Sequence, residues 1–299
     1  MKPRKLLFIV GPTASGKTEL ALEEAGKRGA VILSCDSLCV YRGMDIGTAK
    51  PIPAEQSRVR HFGLDLCDPE APFSVARYME YRDQVLRELA EAGTPVLVAG
   101  GSGFYLKSFF SPVVDRVEIP SGVEEEAARI RRESGLAGLL EALRRINPPG
   151  EAFAGLDLKN PRRVEKALIR CMAGGRSYTE LCRDFAALPE PLADWEKEVW
   201  LVERPLENLQ DRNRRRVGAM LEAGLVAEVE SLRRRGFERN PSAAGAIGYR
   251  EVLQFLDGKL SGEELPEAIR VHTNQLMRKQ RTWFRRQIPV HRRLRFAES

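Results

Sequence analysis

Residues 5–18 read KLLFIVGPTASGKT. The run Leu6-Leu7-Phe8-Ile9-Val10 has the length and continuous apolarity of a strand buried on both faces, as in a parallel sheet. It passes directly into Gly11-Pro12-Thr13-Ala14-Ser15-Gly16-Lys17-Thr18, which matches G-x-x-x-x-G-K-[ST]. The two glycines let the backbone turn so that successive N–H groups face one concavity. Lys17 adds a point charge there, and Thr18 offers a hydroxyl to a divalent metal. Glu19 to Ala25 are good helix formers, so a helix is predicted from about Gly16 with its dipole facing the same anion. Average residue usage yields such an octet in roughly one chain in a hundred, and the flanking strand and helix lower that figure. The stretch therefore predicts a site for a phosphate chain at the carboxyl edge of a parallel sheet.

The 299-residue chain is long enough for one large domain or two smaller ones. A hydrophobic fraction of 43% and a charged fraction of 30% are ordinary for a soluble protein. No apolar run approaches the ~20 residues of a membrane span. The opening MKPRKLLFIV superficially resembles a signal peptide. It ends in the phosphate loop instead of a small-residue cleavage site, so export is not expected. Cys35, Cys39, Cys67, Cys171 and Cys182 contain no C-x-x-C pair, which suits reduced thiols in a cytoplasm. The net charge of +6 is uneven. Residues 201–299 hold 20 Lys or Arg against 13 acids, and Arg270 to Ala297 carries nine basic residues and no acid. That half suits a polyanionic partner, or is a solvated basic face.

Val31 to Cys35 predicts a second strand, completing a βαβ unit and placing Asp36 at a strand end beside the phosphate loop. A carboxylate there can hold a metal, accept a proton, or simply cap a turn. Residues 39–53 form a long loop carrying Tyr41, Arg42, Asp45, Thr48 and Lys50. Further strands are predicted at His61–Leu66, Thr94–Ala99 and Val199–Val202, with a helix from Val75 to about Ala92. Gly100-Gly101-Ser102-Gly103-Phe104-Tyr105 is a second glycine-rich turn, open either to a ligand or to tight packing. Residues 113–195 lack convincing strands. Helical patterns at 124–133, 136–145 and 161–172, broken by Pro and Gly, predict a small helical insertion. Cations at the start of the last of these helices oppose its dipole unless an external anion is bound. A helix from Leu206 to about Glu222 puts Arg212 and Arg216 on one face, either clamping phosphate oxygens or facing solvent. The rest reads as helical: 226–235, 243–256 and about 262–287. In the last, Trp283 and Phe284 lie among arginines, a pattern that suits stacking on single-stranded nucleic acid and equally a helix with aromatics turned inward.

The predicted architecture is α/β: a P-loop kinase-like core with a parallel sheet flanked by helices (1–112 and 196–299), a small all-helical insertion (113–195) and a helical, basic C-terminal region. Thr94–Ala99 ends in glycine instead of the acid with which most phosphate-loop NTPases hold Mg²⁺. Asp36 is better placed to take a proton from a nucleophile, so a group-transfer enzyme fits.

Gly11–Thr18 with Asp36-Ser37-x-x-Val40-Tyr41-Arg42-Gly43-Met44-Asp45-Ile46-Gly47-Thr48-Ala49-Lys50-Pro51 resembles the tRNA dimethylallyltransferase (tRNA isopentenyltransferase) family. So do Gly100–Tyr105, Ala246–Arg250 and Arg278–Phe284, in family order over nearly the whole chain. The resemblance implies transfer of a dimethylallyl group from dimethylallyl diphosphate to N6 of adenosine 37, just 3′ of the tRNA anticodon. It implies Mg²⁺ on Thr18, diphosphate held by Gly11, Pro12, Thr13, Ala14, Ser15, Gly16, Lys17, Thr18, Ser102 and Arg212, and catalysis by Asp36, Lys17 and Arg216. tRNA contacts are implied at Asp36, Ser37, Leu38 and Cys39, and at Gly245, Ala246, Ile247, Gly248, Tyr249 and Arg250. A looser match adds Arg162, Arg163, Val164, Glu165 and Lys166, and the basic tail adds Lys279 and Arg281. The family often has Gln at position 39 and Thr at position 102. The C-terminal zinc finger of eukaryotic members is missing, which points to a bacterial-type enzyme; a monomeric, cytoplasmic protein without membrane attachment is also expected. A nucleotide or small-metabolite kinase is the alternative.

Overall fold

The computed structural model describes residues 4–296. Six parallel strands form one sheet in the order β3-β2-β4-β1-β5-β6: β1 (Arg4–Val10), β2 (Val31–Cys35), β3 (His61–Phe62), β4 (Val96–Gly100), β5 (Trp195–Glu203) and β6 (Arg292–Arg295). The helices are α1 (Lys17–Arg28), α2 (Pro53–Arg58), α3 (Val75–Glu91), α4 (Gly103–Lys107), α5 (Val123–Ile146), α6 (Pro161–Gly174), α7 (Tyr178–Ala186), α8 (Leu206–Glu222), α9 (Leu225–Arg234), α10 (Pro241–Ala244), α11 (Tyr249–Leu256) and α12 (Glu264–Gln287).

Two compact units result. One comprises residues up to 110 together with those from 191 onward, and the other spans 111–190. In the first, strand alternation divides the apolar side chains between two layers. Leu6, Phe8, Val10, Leu33, Val98 and Leu201 pack with Tyr78, Val85 and Leu86 of α3 and Val217 and Met220 of α8. Leu7, Ile9, Ile32, Leu97 and Val202 pack on Ala21, Leu22 and Ala25 of α1. In the second unit, Leu139 and Leu143 of α5 meet Val164, Leu168 and Cys171 of α6.

Register aligns the functional turns. Gly100 of β4 pairs with both Val10 of β1 and Cys35 of β2, so the loops that start at Gly11, Asp36 and Gly101 leave the sheet at one level. A Cβ on Gly100 would stand 2.1 Å from the Cys35 carbonyl oxygen, so only glycine permits this approach.

Several elements differ from the sequence expectation. β3 spans only two residues, because Gly63 and Asp65 adopt positive φ (81° and 54°) and turn the chain out of the sheet. The patterns at 124–133 and 136–145 are one element interrupted at Gly135 (φ 60°, ψ −148°). Residues 243–256 are not one helix, since Gly248 (φ 95°) separates α10 from α11. β5 begins at Trp195, four residues before the expected strand, and Arg292–Arg295, beyond the last expected helix, forms an edge strand.

Candidate active site

The phosphate loop follows from β1 running into α1. Ala14 (φ 66°) and Gly16 (φ 89°) are left-handed, the alternation that gathers N–H groups into a concavity. No side chain caps α1, so its first N–H groups are left for an external anion. Two arginines brace the loop through its carbonyl groups. Arg212 Nε donates to the Ala14 carbonyl at 2.7 Å, and Arg204 Nε donates to the Ser15 carbonyl at 2.8 Å. In a trans peptide the C=O and the following N–H point opposite ways, so holding the Ser15 carbonyl turns the Gly16 N–H to the other side.

Lys17, Thr18, Arg212, Arg215 and Arg216 line a cavity of about 330 Å³ with Ala14 and Gly16. Burial lowers the Lys17 pKa to about 8; the Asp36 charge works against this and the Arg216 charge with it. Arg216 is likewise lowered, by burial first, with Asp36 opposing. Such a crowd of partly desolvated cations is incomplete without an anion.

Asp36 faces a second cavity, of about 580 Å³. Its Oδ1 accepts the Leu38 N–H at 3.0 Å, which fixes the carboxylate in a short side-chain turn. Ser102 Oγ accepts the Ser37 N–H at 2.9 Å and lies 3.1 Å from Ser37 Oγ, tying the β2 and β4 loops together. Thr48, Ile247, Gly248, Lys279 and Trp283 contribute to the walls. Arg216 lines both cavities, so a molecule whose diphosphate lies by Lys17 could present its other end toward Asp36.

Several expected site residues stand elsewhere. Thr13 and Ser102 line the Asp36 cavity and not the Lys17 cavity. Pro12 borders a separate arginine-rich groove with Arg281, Arg285, Arg293 and Arg295 around Glu203. Cys39 is 5% exposed and its thiol is raised by burial and by Asp36, so this side chain does not reach a base edge. Tyr249 is fully buried and donates its hydroxyl to Glu228, and Arg250 Nε donates to Glu251. Gly245 caps α10, whereas Ala246, Ile247 and Gly248 do line the Asp36 cavity. Val164 is in the core of the second unit and Glu165 pairs with Arg131, leaving Arg162, Arg163 and Lys166 on α6 outside that core. Asn160 caps that helix, accepting from the N–H groups of Arg162 and Arg163. The two aromatics of α12 diverge: Phe284 is fully buried, so it cannot stack on a base, while Trp283 faces the cavity. In the long loop, buried Lys50 donates to Asp45, Asp65 and the Tyr41 carbonyl, a structural cluster rather than a reactive one.

Gln280 has no individual signal in the sequence. Its Oε1 accepts the Thr13 N–H at 2.9 Å and its Nε2 donates to the Gly101 carbonyl at 3.1 Å, so one amide of α12 straps the two glycine-rich turns together. Arg204 is equally silent. Both act through backbone groups distant in sequence, which no local pattern marks.

A phosphate loop facing a cavity of cations, with a strand-end carboxylate facing the adjoining cavity, defines a P-loop enzyme of group transfer. The IPP transferase profile matches residues 39–287. The chain is 49% identical over 293 residues to a tRNA dimethylallyltransferase of Opitutus terrae, covering 98% of this chain and 93% of that relative. It also resembles the solved full-length tRNA isopentenylpyrophosphate transferase of Bacillus halodurans, with a TM-score of 0.69 and 30% identity over 99% of this chain and 91% of that one. A eukaryotic dimethylallyltransferase shares the fold at a TM-score of 0.81 and 21% identity, over 98% of this chain and 74% of that one. The chain belongs to the IPP transferase family.

Proposed function

We propose that this protein transfers the dimethylallyl group of dimethylallyl diphosphate to N6 of adenosine 37 in tRNA and releases diphosphate. The observation that carries the reading is the pair of cavities that share Arg216 as a lining residue, one lined by Lys17 and the other by Asp36. The diphosphate lies against the N-terminus of α1, Lys17, Arg212 and Arg216. The adenine enters the Asp36 cavity after leaving the stack of the anticodon loop. The N6 lone pair attacks C1 of the allyl group as the C1–O bond to diphosphate breaks. Negative charge then grows on the departing oxygen, where the loop N–H groups and cations stabilise it. An exocyclic adenine amine is a weak nucleophile because its lone pair is delocalised into the ring. Asp36, with Oδ1 engaged by Leu38, accepts the N6 proton as the C–N bond forms.

Among the described residues no cluster of three His, Cys, Asp or Glu side chains is arranged to hold a metal. Thr18, an exposed hydroxyl in the Lys17 cavity, fits Mg²⁺ in the manner of sites built from one protein oxygen, waters and substrate phosphates. Bound there, Mg²⁺ would offset charge on the diphosphate.

Arg162, Arg163 and Lys166 of the helical unit, and separately the basic α12, are the surfaces offered to the anticodon stem-loop. A monomer in a reducing cytoplasm is the proposed setting. Its five cysteines are free, and no helix among the described residues is long and apolar enough to cross a membrane.

The test incubates the protein with Mg²⁺, labelled dimethylallyl diphosphate, and either unmodified tRNA or AMP, with a parallel reaction that supplies labelled ATP. Label on tRNA alone is expected. Label on AMP alone, or on neither with phosphoryl transfer from ATP instead, overturns the reading in favour of a free-nucleotide prenyltransferase or a kinase.

A further inference from the structure

Glu228 stands in the first turn of α9, outside both cavities, yet it organises their shared wall. Its Oε2 accepts the N–H of Ile46 at 2.8 Å and of Asp45 at 3.1 Å. Its Oε1 accepts the Tyr249 hydroxyl at 2.7 Å and the Gly47 N–H at 3.3 Å. Three successive backbone N–H groups thus converge on one carboxylate, an anion nest filled from within the chain. A carboxylate accepting several N–H bonds holds its donors more firmly than a neutral acceptor would.

The loop so held reaches the site directly. Gly47 packs so closely on Tyr249 that a Cβ there would lie 2.5 Å from the ring. Thr48 Oγ1 donates to the Met44 carbonyl at 2.7 Å, and the Thr48 carbonyl accepts from Arg216 Nη2 at 3.4 Å. Gly47 and Thr48 line the Asp36 cavity, and so does Gly248, next to Tyr249.

We propose that Glu228 is a positioning residue for the transfer, aiming the Arg216 guanidinium through the Asp45–Thr48 loop. The inference rests on the proposed role of Arg216 against the diphosphate. Burial and the neighbouring Glu228 charge raise the Tyr249 phenol well above its usual pKa, so it remains a donor to the carboxylate throughout the working range.

The experiment is a double-mutant cycle of Glu228→Gln and Arg216→Ala in the full chain. It reads the Kd for dimethylallyl diphosphate, the Kd for unmodified tRNA, and the single-turnover rate. Glu228→Gln alone should weaken dimethylallyl diphosphate binding about tenfold and slow turnover comparably, with tRNA affinity unchanged within about twofold. In the Arg216→Ala background the same change should have less than about a twofold further effect, since its target is gone. Equal penalties in both backgrounds, or parallel losses of diphosphate and tRNA affinity with a lowered Tm, would mark Glu228 as merely structural and overturn the proposal. Should Glu228→Gln not fold, Tyr249→Phe, which removes one of the four bonds, takes its place in the same cycle under the same criteria. Wild-type protein that binds dimethylallyl diphosphate but labels no tRNA refutes the proposed reaction while leaving the binding cycle decisive for Glu228.

Discussion

On the proposed reading, the lowered pKa of Lys17 should make diphosphate affinity depend on pH near neutrality. Burial brings this lysine from 10.5 to about 8. A diphosphate seated against it supplies the missing counter-charge and drives the pKa back toward its ordinary value, so binding takes up a proton. Linkage then weakens affinity as pH rises through that lowered pKa, by about tenfold between pH 7 and pH 9. Stability runs the other way: the folded state binds this proton less tightly than the unfolded chain, so the cost of the buried charge is present below about pH 8 and is relieved between there and 10.5. The assay is equilibrium binding of dimethylallyl diphosphate from pH 6.5 to 9.5 at constant ionic strength. The ligand's last ionisation, near pH ~6 as for a phosphate ester, lies below most of that window. Lys17→Met should flatten the profile. Asp36→Asn removes a charge that raises the Lys17 pKa, so it should move the midpoint to lower pH. A flat wild-type curve, or an unchanged slope in Lys17→Met, refutes the reasoning.

Asp36→Ala should slow transfer by about 10²–10⁴-fold, the range of a lost general base, while both substrates still bind; near-normal turnover would show that another group takes the proton. Gln280→Ala removes both hydrogen bonds between α12 and the two glycine-rich turns, so single-turnover rates should fall about tenfold or more with a Tm loss of a few degrees; unchanged kinetics would show that the turns are self-supporting. Gly100→Ala forces a methyl group into the Cys35 carbonyl and should abolish soluble folded protein, which circular dichroism reads; a normal melting curve would contradict the strand spacing.

The elements that frame the site are legible in the chain because their causes are local. An apolar run of strand length followed by a glycine-bounded octet demands a turn between strand and helix, and β1 and α1 flank that turn. The patterns before Asp36 and before Gly100 likewise end in strands, and parallel pairing brings all three termini to one level. The charged edge strand β6 was illegible, since Arg292–Arg295 has no apolar alternation and is specified by pairing with β5. Trp283 and Phe284 are adjacent, yet only the packing of α12 decides which one enters the core. Tertiary structure alone decided which side chains hold the loops: Gln280 reaches Thr13 across 267 residues, and Glu228 reaches Ile46 across 182. Helix-breaking glycines and apolar periodicity are written in neighbouring residues. A backbone N–H finds a distant carboxylate or amide only once the helix bearing it has docked, because that bond depends on position in space and leaves no pattern in the chain.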